Sequence, residues 1–114
     1  MRVLFVCARN RLRSPTAERL FAGVAGVETA SAGIAPDADQ PLTAELVEWA
    51  EVIAVMEPKH RAGVARAFGT RLRGKRVICL GIADEYEYMD PELIRVLWDR
   101  VPRSIPRLAA ERPV

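Results

Sequence analysis

The chain has 114 residues, half of them hydrophobic, and a formal net charge of +2. That is long enough for one domain with a real core, and too balanced for a disordered segment or a general nucleic-acid binder. Two cysteines and one histidine exclude a disulfide scaffold and a histidine-based metal centre. Met1 and Arg2 precede only a short apolar run before Arg9, so no signal peptide and no membrane span are expected. Reduced thiols suit the cytoplasm, which is the expected location.

The first element is Arg2 to Cys7, apolar and β-branched, as in a buried parallel strand. Cys7 to Arg13 then forms a short loop. Ser14 suits a helix N-cap and Pro15 the first helical position, which predicts a helix over 15–25 with Ala17, Leu20, Phe21 and Val24 on one face. Residues 27–31 read as a second strand, polar enough for a place near the edge. Gly33 to Pro41 is a loop. Thr43 caps a helix with Leu42, Leu46, Trp49 and Ala50 at helical spacing, and 52–56 is a third strand. Residues 58–68 form a basic amphipathic helix ending at Gly69, on which His60 is expected to be exposed. Residues 76–82 form a fourth strand, with Cys79 an inert core thiol. Asp90-Pro91 starts a last helix carrying Leu93, Ile94, Leu97, Trp98 and Val101, and Pro102 ends it.

Strand and helix alternate throughout, which predicts an α/β fold. It is a single three-layer domain, a four-stranded parallel sheet flanked by helices, with a phosphate-binding loop after strand 1. The domain covers residues 1–101, and 102–114 form a weakly ordered C-terminal tail. Ligands in such sheets bind at the carboxyl ends of the strands, where Cys7 falls.

The stretch Cys7-Ala8-Arg9-Asn10-Arg11-Leu12-Arg13-Ser14-Pro15 carries the chemistry. A loop entering a helix points several backbone N–H groups at one spot, and the helix dipole adds positive potential there. An anion such as phosphate or sulfate fits that cradle, formed by residues Ala8, Arg9, Asn10, Arg11, Leu12, Arg13 and Ser14. The planar fork of Arg13 can hold two phosphoryl oxygens, and the Cys7 thiolate can attack phosphorus from below. Asn10 tolerates the left-handed backbone that a tightly curled loop needs. Ser14 can donate a hydrogen bond to the thiolate.

Cys-x5-Arg-Ser-Pro after an N-terminal apolar strand, continuing Thr16-Ala17-Glu18, resembles the low-molecular-weight protein tyrosine phosphatases. Ser31-Ala32-Gly33 is similar to the family's motif after the second strand, and Val52 to Glu57 to its third strand, where an aspartate usually follows the methionine. The resemblance implies a phosphomonoester hydrolase, a protein tyrosine phosphatase working through a cysteinyl-phosphate with no cofactor and no metal. Its partners would be a phosphorylated protein or a small aryl phosphate, and the monomer is the favoured state. It also implies a general acid in the loop after the fourth strand, for which Asp84 is favoured over Asp90. Tyr86 is then a candidate for the substrate-lining wall.

The chain departs from the family at Arg9, Arg11 and Leu12, and Glu85 stands where a proline is usual. The two extra arginines lead to the expectation of a basic mouth and an acidic ligand. The middle of the chain is short between the second and third strands. The rival readings are a non-hydrolytic phosphate-binding module, a cysteine phosphocarrier and, with only Cys79 to relay a disulfide, an arsenate reductase.

Overall fold

The computed structural model describes residues 1–109. Strand β1 is Arg2–Cys7 and β3 is Val52–Val55. Both are apolar on consecutive residues because both of their faces are covered. Val3, Phe5 and Cys7 of β1, with Val52, Ala54 and Met56, enter one core cluster, whereas Leu4, Val6, Ile53 and Val55 enter another. Strands β2 (Glu28–Gly33) and β4 (Arg76–Cys79) flank them, and all pairings are parallel in the order β2-β1-β3-β4. The polar β2 therefore lies at an edge, as its composition suggested.

Helices α1 (Arg13–Phe21) and α4 (Pro91–Ser104) cover the first face, α1 through Ala17 and Phe21 and α4 through Leu93, Leu97, Trp98 and Val101. Helices α2 (Ala44–Trp49) and α3 (Pro58–Phe68) cover the second through Val47 and Val64. The chain leaves β1 toward one face through α1, and reaches β3 from the other through α2. Such a change of side opens a crevice at the carboxyl end of the sheet between neighbouring strands, and Cys7 stands at the β1 end of it.

Several boundaries differ from the sequence reading. Helix α1 begins at Arg13 with Leu12 at its N-cap, because the Ser14 hydroxyl turns toward Cys7 instead of capping. Thr43 does cap α2, accepting from the Leu46 amide, and Asp90 caps α4, accepting from the Glu92 amide. Pro102 does not end α4, which continues to Ser104, and a 3₁₀ turn follows at Pro106–Ala109. Proline removes one backbone donor near the end of the helix. The burial of Ile105 and Leu108, both fully enclosed in the first core cluster, carries the chain on. Arg76 adds a bond from its guanidinium to the Ser104 carbonyl at 2.7 Å. The weakly ordered tail expected from 102 onward is therefore structured through 109, while 110–114 lie outside the described residues. Cys79 is half-buried rather than enclosed. It packs on the second face whereas Cys7 packs on the first, with β3 between their strands. It cannot serve as a disulfide partner of Cys7 in this fold.

Candidate active site

Cys7 is the last residue of β1 and is 3% exposed. Beyond it the chain must turn sharply, and Asn10 supplies the turn with φ of 56°. This curl brings the Asn10 amide N–H back to donate to Cys7 Sγ at 3.2 Å. The Asn10 side chain donates through Nδ2 to Ser14 Oγ at 3.0 Å, and Ser14 Oγ lies 2.9 Å from Cys7 Sγ. When the sulfur is a thiolate it has no proton to give, so the Ser14 hydroxyl is the donor. Asn10 and Ser14 both converge on the Cys7 sulfur. Helix α1 has no side-chain cap. A helix N-terminus without a side-chain cap leaves its first amides available to an anion.

The segment after β2 supports the loop from behind. The amides of Ile34, Ala35 and Asp39 donate to the carbonyls of Cys7, Ala8 and Arg9 at 3.0, 2.9 and 3.1 Å. This approach explains the glycine that ends β2. A Cβ on Gly33 would meet Ala38 Cβ at 2.5 Å, the Ala8 carbonyl oxygen at 2.7 Å and the Arg9 carbonyl carbon at 2.9 Å.

Arg13 has a buried guanidinium. Its Nη1 donates to Glu57 Oε2 at 2.6 Å and to the Ile82 carbonyl at 2.7 Å, while Nε lies 3.7 Å from Asp84 Oδ1. With Nη1 engaged twice, Nε and Nη2 are the pair left to grip a phosphoryl group. The hydrogen bond from Arg13 holds the Glu57 carboxyl below its ordinary range, against the opposing effect of burial.

His60, expected on the surface, is 2% exposed. It sits at the third position of α3, whose N-cap is Glu57. The two form a capping box in which His60 Nδ1 accepts from the Glu57 amide at 3.1 Å. That bond turns the ring inward and leaves the proton on Nε2, which lies 3.7 Å from Glu57 Oε2 and makes no hydrogen bond among the described residues. Burial, and next the neighbouring Arg13 charge, lower the imidazole below its ordinary 6.5. Glu57 and His60 were not assigned roles from the sequence. Their three-residue spacing ahead of a helix was the available signal.

A cavity of about 230 Å³ is lined by Cys7, Ala8, Arg9, Arg11, Leu12, Arg13 and Asp84. A larger one, about 800 Å³, follows the β2 edge and α2 and meets the loop only at Asn10. It holds neither Cys7, Arg13 nor Asp84, so the smaller cavity is the candidate site. Asp84 faces it, whereas Asp90 is occupied as the α4 cap. Tyr86 packs against the first core cluster and is not part of the cavity wall. Tyr88 is 43% exposed and its hydroxyl accepts from Arg19. The strongly basic mouth expected from Arg9 and Arg11 is instead close to balanced. Arg9 pairs with Asp37 at 2.7 Å and Arg11 with Asp39 at 3.1 Å, all four side chains being about half exposed or more.

Comparison with known proteins agrees with this geometry. The family model "Low molecular weight phosphotyrosine protein phosphatase" matches residues 2–72. The protein-arginine-phosphatase of Bacillus subtilis is 33% identical over 102 residues, spanning 66% of this chain and 67% of that protein. The tyrosine phosphatase AmsI of Erwinia amylovora superposes with a TM-score of 0.69 at 27% identity, covering 95% of this chain and 90% of that one. Wzb of Escherichia coli K30, a tyrosine phosphatase solved with phosphate, shares the fold with a TM-score of 0.73 at 23% identity, covering 94% and 97%. The chain belongs to the low molecular weight phosphotyrosine protein phosphatase family, hydrolases with a cysteine nucleophile.

Proposed function

We propose that the protein hydrolyses phosphotyrosine in proteins through a cysteinyl-phosphate at Cys7. The observation that carries this reading is the meeting of the Cys7 sulfur, the free edge of the Arg13 fork and the Asp84 carboxyl around one cavity of about 230 Å³. Phosphate would seat on the loop amides and on Nε and Nη2 of Arg13, where preorganised charge stabilises the transition state most. The Cys7 thiolate attacks phosphorus and an S–P bond forms. The P–O bond to the phenol breaks as Asp84 gives the leaving oxygen its proton. Water then attacks phosphorus, Asp84 takes a proton back, and the S–P bond breaks to release phosphate.

One feature supports an aryl leaving group: Ala8 and Leu12 offer apolar surface to a ring. The reading of phosphoarginine as substrate draws its support from the Bacillus subtilis relative. The deciding experiment compares kcat/KM on one peptide carrying phosphotyrosine or phosphoarginine. A preference for phosphotyrosine of about tenfold or more, on the order of 1.4 kcal/mol in the transition state, is expected. The reverse preference would replace the substrate. Phosphate binding with no turnover on either peptide would replace the enzyme with a binding module.

A further inference from the structure

Asp84 lies on a segment, Gly81 to Tyr88, in which all but Ile82 and Tyr86 are exposed, and its own side chain is 62% exposed. Something must hold such a segment if its carboxyl is to meet a leaving oxygen. At its start, Ile82 donates through its amide to the Met56 carbonyl at 2.8 Å, and its carbonyl accepts from Arg13. At its end, the Met89 amide donates to Thr16 Oγ1 at 3.0 Å across 73 positions of sequence. Thr16 Oγ1 in turn donates to the Leu12 carbonyl at 2.6 Å. Arg13 and Thr16 are three residues apart on α1, so one face of that helix grips both ends of the segment.

The bond to Leu12 alone would be ordinary, since threonine in a helix commonly returns its hydroxyl to the carbonyl four residues back. The second bond is not ordinary. It reaches a residue with φ of 59°, a left-handed backbone that methionine adopts only when its surroundings impose it. Thr16 is fully buried, so no water replaces its hydroxyl if it is lost.

We propose that Thr16 is a positioning residue for the general acid. Its hydroxyl ties the Asp84 segment to Leu12, the last residue of the phosphate-binding loop, so that acid and cradle keep one geometry. The inference rests on Asp84 being the acid, and its test separates the two. Thr16→Val keeps the shape and removes the hydroxyl, Thr16→Ser keeps the hydroxyl, and Asp84→Asn removes the acid. Each is assayed for kcat/KM on phenyl phosphate, which needs its leaving oxygen protonated, and on dinitrophenyl phosphate, which does not.

Thr16→Val is expected to lose about tenfold on phenyl phosphate, a part of the acid's usual contribution of about 10²–10⁴. It should change less than about twofold on dinitrophenyl phosphate. Inhibition by inorganic phosphate should be unchanged, and Thr16→Ser should behave as wild type. Thermal melts keep the comparison among folded proteins. If Asp84→Asn shows the leaving-group dependence and Thr16→Val does not, the inference is overturned and the acid assignment stands. Equal losses on both substrates in Thr16→Val would also overturn it, placing the effect in the cradle. If Asp84→Asn itself shows no such dependence, the acid assignment fails and takes the inference with it.

Discussion

The start of α1 and the length of α4 pack on the same face of the sheet, yet they are held by opposite means. Around the loop that follows Cys7 the buried side chains are polar. Asn10, Arg13, Ser14, Thr16 and His60 are each 7% exposed or less, and each makes a hydrogen bond to a neighbour. Along α4 and the turn beyond it the enclosed residues are Leu93, Leu97, Val101, Ile105 and Leu108, all at 0%. Phe21 links the two regions, its ring 5.9 Å from that of Phe5 and 4.5 Å from that of Trp98.

Intramolecular hydrogen bonds add only about 0.5–1.5 kcal/mol each, because water is given up to make them. A fully buried leucine or valine adds about 1.5–3 kcal/mol. The first region therefore fixes positions more than it stabilises, and the second stabilises mainly through apolar burial. Activity and folding should come apart under mutation.

The largest separation is expected at Arg13. Arg13→Lys removes the paired grip on phosphate and one of the two bonds held by Nη1, and kcat/KM on an aryl phosphate should fall about 10²–10³-fold, as for loss of a transition-state donor. The melt should stay cooperative. Comparable activity with lysine would show that a point charge suffices and that the fork is not used. The converse variant is Leu97→Ala, which should cost about 2–5 kcal/mol of folding stability. Denaturant unfolding measures this, and kcat well below the melting transition should be unchanged. A lowered kcat in the folded variant would mean that α4 is coupled to chemistry after all.

The smallest effect is in the pH dependence of stability. Both His60 and Glu57 have lowered values in the fold, so each favours the folded state at higher pH. The His60 contribution is complete above the ordinary 6.5 and is lost as pH falls toward its lowered folded value. The Glu57 contribution is complete above 4.5 and is lost only below that. Melting temperature should therefore start to fall below 6.5, and His60→Gln should flatten that first decline while leaving the later one. An unchanged profile in His60→Gln would assign the decline to other groups.

Much of this site was legible in advance because its chemistry is local. Cys7 to Ser14 is one continuous stretch whose spacing dictates a strand, a curled loop and a helix start. The parallel sheet followed from the alternation of strand and helix, and α3 fell on 58–68 as read. What was not legible depended on partners distant in sequence. His60 looks like a surface residue beside Lys59 and Arg61 until the Glu57 box turns it under Arg13. Arg9 and Arg11 look like a basic mouth until the loop at 37–39 brings two aspartates to them. Pro102 looks like a helix end until Ile105 and Leu108 find the core. Gly33 had a place in a motif, but its reason is a backbone contact with Ala8 and Arg9 that only the fold creates.

The central claim is that Cys7 forms the covalent intermediate. It is tested most directly by mixing Asp84→Asn enzyme with dinitrophenyl phosphate, quenching rapidly, and mapping phosphate by mass spectrometry of the peptides. The substrate leaves without an acid, and loss of the Asp84 carboxylate slows attack by water, so the intermediate should accumulate. The account predicts one phosphoryl group on the peptide containing Cys7, absent in the Cys7→Ala/Asp84→Asn double variant. Turnover with phosphate on another residue, or turnover retained in full by Cys7→Ser, would contradict it.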